Sequence, residues 1–529
     1  MMTSRRVVLL AGLATVVPAC GGGGDGGEDP GGPGPDASWP PPTPVSPPVA
    51  APAAAWSSHG GSFTHAARAP ATAQALNRVL WSTPVDLAPP YTASGFLLIH
   101  YGSPVVSAAN VVMLPVKRNS SGTFGVESRS ATSGNLLWQQ TTDYILPVSS
   151  WTPSMNLALH GERLFIPAAG GRILVRDQAS SATGPLGSIL FYNSAAPLAT
   201  LNAQVRINTP LTVDASGNLF FGFLADPGNA AGLTSGFVRI AADGTALWRS
   251  ARDLAQDASV TGPAMNCAPA LSPDGQSLYV VANLAATGNA PQSGVLLWLD
   301  PTTLSLRGKQ SLFTPLGQVA RVSDSASSSP TVGPDGDVYY GVLDFAAGGH
   351  NSRGWLLHFD ATLATTRTPG SFGWDDTPSI VPASAVPQYA GSSPYLLLCK
   401  YNNYYGQGSG NGLNQMAVLD PNASQLDSYG GAAMVMREVL VVTGPTPDPG
   451  TVGGRREWCV NTAVVDPATR SAYINSEDGR VYRWEFPTNS LTRSVVMNNG
   501  LGQAYTPTVM GPDGVVYAVN NAQLHAVGA

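Results

Sequence analysis

Apolar positions in this chain cluster in short runs rather than in helical stripes. From Trp56 onward, runs such as Leu278-Tyr279-Val280-Val281 and Val338-Tyr339-Tyr340 are rich in β-branched and aromatic residues and end at Gly, Pro, Asp or Ser. The pattern predicts strands joined by tight turns, and no convincing amphipathic helix is present. One phrase orders these strands: a small or hydroxyl residue, proline, then apolar residues. It stands at Ser103-Pro104-Val105-Val106, Thr152-Pro153-Ser154-Met155, Thr209-Pro210-Leu211-Thr212 and Ala268-Pro269-Ala270-Leu271. It returns at Ser329-Pro330-Thr331-Val332, Thr377-Pro378-Ser379-Ile380 and Thr506-Pro507-Thr508-Val509, with a degenerate copy, Thr462-Ala463-Val464-Val465, that lacks the proline. Recurrence at roughly fifty residues marks a propeller or a solenoid.

Each unit reads alike. A turn such as Ser272-Pro273-Asp274-Gly275 or Gly333-Pro334-Asp335-Gly336 follows the phrase, with proline fixing φ and glycine supplying positive φ. A third strand ends in an acid (Asp300, Asp360, Asp420), and a fourth often carries tryptophan (Trp138, Trp248). Four strands in each of eight units predict an all-β, eight-bladed β-propeller. The last unit, Tyr505 to Ala529, has room for only three strands, whereas Val79-Leu80-Trp81 reads as an unpaired fourth. Joining this N-terminal strand to the last blade would close the ring and remove its open edges.

Composition supports short strands and turns: the 529 residues include 59 Gly and 45 Pro, and only 11% are charged. A net charge of −6 with no basic stripe argues against nucleic acid as a partner. The first residues read differently. Arg5 and Arg6 precede the apolar run Val7 to Val17, too short to span a bilayer but suited to a signal peptide. The run ends at Val17-Pro18-Ala19-Cys20, which resembles a bacterial lipobox, so residues 1–19 are expected to be a leader and Cys20 the lipidated residue. A flexible, disordered Gly/Pro-rich tether is expected over 20–55 and the propeller over 56–529. By the sorting pattern of such lipoproteins, Gly21 after Cys20 implies export to the outer membrane or cell surface, with membrane contact through the lipid alone. Cys267, Cys399 and Cys459 permit one disulfide with a thiol left over. With no Cys-x-x-Cys and no metal-ligand spacing among the seven histidines, no metal site is expected.

Trp56 with Gly60-Gly61, then Leu80-Trp81, then repeats of Pro-Val, turn-Gly, Val-Tyr and Leu-Trp resemble the pyrroloquinoline-quinone-type (quinoprotein-like) propeller superfamily, in its lipoprotein form. That superfamily includes quinoprotein alcohol dehydrogenases and a cofactor-free lipoprotein of the outer-membrane assembly machinery. The dehydrogenases carry an adjacent Cys-Cys pair beside the quinone, a Glu, Asn and Asp set around calcium, and regular tryptophan docking. None of these is assignable here. The resemblance therefore implies a non-enzymatic binding or scaffold lipoprotein of the cell envelope, without cofactor. A pyrroloquinoline-quinone-dependent oxidoreductase with calcium is the alternative.

In a propeller the innermost strands line an axial channel, so the residue before each phrase should ring its mouth. These are Gly102, Trp151, Asn208, Cys267, Ser328, Asp376, Asn461 and Tyr505. Trp151, Asn208, Ser328, Asp376, Asn461 and Tyr505 form a varied polar ring suited to binding a sugar or peptide. Gly/Asn-rich loops of the middle blades add His350, Arg353 and the adjacent pair Tyr404 and Tyr405, expected to be exposed. The histidines are expected at the surface or packed in strands, and Asp375-Asp376 in a solvated turn. The expected partner is an envelope protein or glycan, bound by a monomer; no catalytic residue can be named.

Overall fold

The computed structural model describes residues 53, 55–93, 95, 97, 99–147, 155–284, 293–322, 328–344, 353–406, 410–499 and 505–529. The leader, Cys20, most of the tether, Trp151 and His350 lie outside the described residues.

Eight antiparallel sheets form among the described residues; those of blades 1, 5, 6, 7 and 8 begin within a copy of the phrase, those of blades 3 and 4 start a few residues before it, and that of blade 2 starts at Ala158. Blade 1 runs through Val105–Val106, Val111–Lys117, Phe124–Ser130 and Leu136–Thr142 in spatial order. Proline has no N–H to give to a ladder, and in blades 3 and 4 it splits the innermost strand. There Val205–Ile207 and Thr212–Val213 both pair with Leu219–Ala225, while Val260–Pro263 and Ala270–Leu271 both pair with Leu278–Leu284. Blade 5 departs from the expected four strands. Thr331–Val332, Val338–Val342 and Trp355–Phe359 are followed only by isolated bridges at Thr366 and Gly370, around Pro369. The long interval before the degenerate copy is taken up by an extended hairpin in blade 6, Gln415–Leu426 with Met434–Thr443.

The ring closes as expected. Arg78–Pro84 pairs antiparallel with Gln523–Gly528, placing Trp81 opposite Ala526. The Trp81 indole N–H donates to the Ala131 carbonyl of blade 1 at 2.7 Å, and its ring lies so close to Gly134 that a Cβ there would approach it to 2.6 Å. Trp138 of blade 1 makes the same bond to Ala179 of blade 2, also at 2.7 Å. Tryptophan docking, expected to be missing, thus occurs at two junctions; the donor lies on the outermost strand and its acceptor in the neighbouring blade. Aromatic packing fills the blade interfaces, as where Phe191 meets Phe221 and Phe223, and Phe223 meets Trp248.

The hydroxyl residues of the phrase tie each inner strand to the next. The Thr212 hydroxyl donates to Pro269 O (2.7 Å), Thr331 to Pro378 O (3.0 Å) and Ser379 to Ala463 O (2.5 Å). Thr506 donates to Tyr101 O (2.9 Å), so blade 8 is bound to blade 1 on the inside as well. Buried carbonyls near the axis would otherwise lack partners, which explains why Ser and Thr recur there.

The N-terminal segment Trp56 to Ala69 then closes one end of the channel. Trp56 exchanges two backbone bonds with Val106 of blade 1, both at 3.0 Å. Further along, Leu159 of blade 2 donates to Ser57 O (2.8 Å), Leu271 of blade 4 to Phe63 O (2.8 Å) and Val332 of blade 5 to Thr64 O (3.0 Å). Ile380 of blade 6 donates to Ala66 O (3.0 Å), and Val465 of blade 7 to Ala67 O (2.9 Å). One short segment thus satisfies the inner ends of six blades. Trp56, Ser58, His59, His65 and Ala67 are all buried.

Candidate functional site

At the other end of the inner strands the sequence places its ring residues, and here the structure departs from expectation: every described member is buried. Asn208 is turned towards blade 4, its amide donating to Pro263 O (2.9 Å), and Cys267 is buried beside Tyr340. Gly102 packs where a Cβ would meet the Met155 carbonyl at 2.1 Å. Ser328, Asp376, Asn461 and Tyr505, from blades 5 to 8, are instead joined through a network that also holds residues the sequence gave no reason to single out.

The network starts on a turn pressed against blade 5. A Cβ at Gly341 would lie 2.2 Å from Gly373 O, so the absence of a side chain lets Ser371 to Asp376 lie on the blade. Asp375 sits in the left-handed region (φ +58°), as does Tyr505 (φ +45°), each a strain of about 1–2 kcal/mol that the packing must hold. The Asp376 N–H donates to the Ser328 hydroxyl (3.1 Å), and Lys400 N–H to Asp376 Oδ1 (3.4 Å). Asp375 Oδ2 lies 3.4 Å from His100 Nε2 and 3.9 Å from Lys400 Nζ. The His100 ring packs on Tyr505 with centroids 4.5 Å apart, and Lys400 Nζ stands 4.8 Å from the same Tyr505 ring. Tyr505 donates its hydroxyl to Glu457 Oε2 (2.8 Å), and the Glu457 N–H donates to Glu477 Oε1 (3.0 Å). Asn461 donates to Asp375 O (3.2 Å) and turns its carbonyl oxygen to His59 Nε2 (3.2 Å), which assigns the His59 proton to Nε2. His59 belongs to the axial segment, so that segment is the floor of the polar cluster.

Two groups in this cluster are left unmet. Lys400 Nζ, 1% exposed, has no hydrogen-bond acceptor among the described residues, and neither does Asp376 Oδ2 have a donor. Burial pushes the Asp376 carboxyl up to about 7, against the pull of the Lys400 charge. Burial and the neighbouring His65 push His59 down to about 3, while burial lowers His65 to about 4, so both are neutral in the floor near pH 7. Tyr404 and Tyr505 are raised well above the ordinary phenol range by burial and then by the charge of Glu457.

The remaining sequence candidates fall in different places. Tyr404 is buried against Leu343 and Trp374, while Tyr405 beside it is 61% exposed. Adjacent tyrosines were expected to be exposed together; the chain reverses direction here and only the second reaches solvent. Arg353 is engaged in the structure itself, paired with Asp427 (2.6 Å) over the Trp355 ring (4.4 Å). Asp375 and Asp376 are buried, not solvated, and five of the six described histidines are buried while His160 is partly so. Cys267, Cys399 and Cys459 are all buried and none is in a disulfide, so the bridge the count allowed does not form. Two shallow hollows of the described surface, one lined by Thr446 and Arg493 and one by Thr366 and Ser424, include no residue of the axial cluster.

The raised Asp376 gives a pH dependence with a definite sign. A carboxyl that holds its proton longer when folded than when unfolded costs stability as pH rises from about 4 to about 7. The buried histidines act in the opposite sense, adding stability as pH rises through their lowered values towards 6.5. Their contribution cancels when Asp376→Asn is compared with the parent protein. The variant should match the parent near about pH 4 and gain on it by on the order of 2–4 kcal/mol near about pH 7, read by urea denaturation. A difference that does not change with pH would contradict the assignment.

No family model matches the chain, and no curated protein matches it. Solved structures do. A quinohemoprotein alcohol dehydrogenase from Comamonas testosteroni is 10% identical, with a TM-score of 0.53 over 89% of this chain and 80% of its own. A europium-containing methanol dehydrogenase is 11% identical, with a TM-score of 0.53 over 88% and 89%. BamB from Moraxella catarrhalis, 13% identical, overlaps more loosely, with a TM-score of 0.38 over 85% and 99%. Pyrroloquinoline quinone is a planar tricarboxylic acid, and the axial residues here do not fit it. Asp375, Asp376, Glu457 and Glu477 outnumber Lys400 and Arg456, and the two rings at 4.5 Å, His100 and Tyr505, leave no slot between them. What this chain shares with the two dehydrogenases is the β-propeller fold, here with eight blades.

Proposed function

We propose that this protein is a non-enzymatic binding propeller of the bacterial cell envelope, exported and tethered by lipid at Cys20, whose axial face takes the end of an envelope glycan. The observation that carries this reading is the pair of unmet groups at the axis, the Lys400 ammonium and Asp376 Oδ2, in a wall of tyrosines and amides. Lys400 has an ion-pair neighbour in Asp375 but no hydrogen-bond acceptor among the described residues, and Asp376 has the Cys399 thiol beside it, so a hydroxyl-rich ligand would add hydrogen bonds to both while its ring faces stack on aromatic walls. Tyr404 and Trp374 supply such a wall, and the exposed Tyr405 stands nearby. Access is from the end opposite the Trp56–Ala69 segment. The surplus of carboxylates favours neutral or amino sugars over acidic ones. No helix among the described residues is long and apolar enough to cross a membrane, and in this reading the lipid at Cys20 provides the attachment.

Calorimetric titration with muropeptides and with core oligosaccharides of lipopolysaccharide tests the binding half. The parent protein should bind one of these sets, and Lys400→Met should weaken it at least about tenfold, or about 1.4 kcal/mol. Absence of binding to both sets, or binding that Lys400→Met and Asp376→Asn leave unchanged, would overturn the glycan reading. For the tether, Cys20→Ser should move the protein from the membrane fraction to the soluble fraction of fractionated cells. Retention in the membrane would exclude a lipid anchor at that residue.

A further inference from the structure

At the seam of the ring an aspartate and a lysine meet out of water. Asp86 follows the strand Arg78–Pro84 that completes blade 8, and Lys117 ends the second strand of blade 1, Val111–Lys117. Lys117 Nζ lies 3.1 Å from each carboxylate oxygen of Asp86, with the two side chains 4% and 0% exposed. We propose that these side chains condense to an intramolecular amide, a covalent clasp between the closing segment and blade 1. The inference rests on neither the glycan nor the tether reading.

Backbone pairing explains the approach. The Lys117 N–H donates to Val85 O (2.8 Å), and the Leu87 N–H donates to Lys117 O (2.9 Å). The chain on both sides of Asp86 is therefore fastened to Lys117 itself, and Val85 N–H is held in turn by Ala522 O of blade 8 (2.8 Å). Reacting groups fixed this close behave as if present at about 10⁵ M or more.

The two oxygens of Asp86 have different neighbours. Ala88 N–H donates to Oδ1 (2.9 Å), and the Tyr101 hydroxyl donates to Oδ2 (2.9 Å). A backbone N–H suits the oxygen that carries negative charge while the carbon is tetrahedral. A phenol at hydrogen-bond distance suits the oxygen that departs with protons. Lys117 Nζ also donates to Ala88 O (2.9 Å). The amide would keep both bonds to Ala88, its N–H donating to the Ala88 carbonyl and its Oδ1 accepting from the Ala88 N–H.

The step balances without any further reactant. Of the three ammonium hydrogens, one passes to the carboxylate and frees the nitrogen lone pair, which forms the N–C bond at Asp86 Cγ. The second follows to Oδ2 while Tyr101 keeps its hydrogen bond to that oxygen. The Cγ–Oδ2 bond then breaks, Oδ2 leaves as water with both hydrogens, and the third stays on the amide nitrogen. Two buried charges become one neutral group, which removes the desolvation cost that a buried ion pair carries.

Peptide mass spectrometry tests this. Trypsin cuts after Arg78, Lys117 and Arg118 in the unmodified chain, but an amide at Lys117 blocks the middle cut. The full-length processed protein, unfolded and digested, should yield peptide 79–118 one water lighter than its sequence, with no fragment ions from backbone breaks between residues 86 and 117. A cyclic imide at Asp86 would also lose water but would leave Lys117 open to trypsin. Peptide 79–117, either at full mass or one water lighter, as the main product overturns the proposal. Tyr101→Phe should carry at least about tenfold less of the linked peptide at matched times after synthesis. Linked peptide at the parent level in that variant would overturn the role given to Tyr101.

Discussion

The structure depends on the backbone hydrogen bonds between one extended segment, Trp56 to Ala69, and the inner strands of six blades. Innermost strands of a propeller are short, here often two residues, and their outward hydrogen bonds to the second strand leave the axial side unpaired. Burying those groups without partners would cost about 1–3 kcal/mol each, so an open, dry axis is not an option. The segment supplies acceptors to Val106, Leu159, Leu271, Val332, Ile380 and Val465 in turn. It also carries His59 into contact with Asn461.

Closure is distributed over three radii. At the outside Arg78–Pro84 completes the last blade, and Trp81 docks on blade 1. Near the axis Thr506 reaches the Tyr101 carbonyl across the same junction. At the axis itself the segment binds blade 1 at Trp56 and blade 7 at Ala67, spanning the seam. This redundancy is what allows blade 5 to lack a full fourth strand and blades 3 and 4 to break their inner strands at proline.

Blade number and ring closure were legible in the sequence because they depend on periodic local signals: hydroxyl-Pro phrases, Asp-Gly turns and a stray Leu80-Trp81. The site was legible only in part. Ser328, Asp376, Asn461 and Tyr505 were placed by counting from the phrase, but their burial was not foreseen. What buries them is long-range: Lys400, His100 and the axial segment arrive from other blades and have no local signature. Tyr404 and Tyr405 show the same limit, since which of two adjacent side chains faces inward depends on the reversal of the chain that follows. The axial segment itself left no pattern to read, because it contributes backbone groups rather than side chains.

The central claim is that the backbone bonds of Trp56 to Ala69 seal the inner strands at the axis. Hydrogen–deuterium exchange of the full-length protein tests it directly, through the amides of Leu159, Leu271, Val332, Ile380 and Val465. Each donates to a carbonyl of the segment. The account predicts that they exchange as slowly as mid-blade amides such as those of Val281 and Tyr340, by global opening. Exchange orders of magnitude faster than those amides, as for a channel open to water, would contradict it.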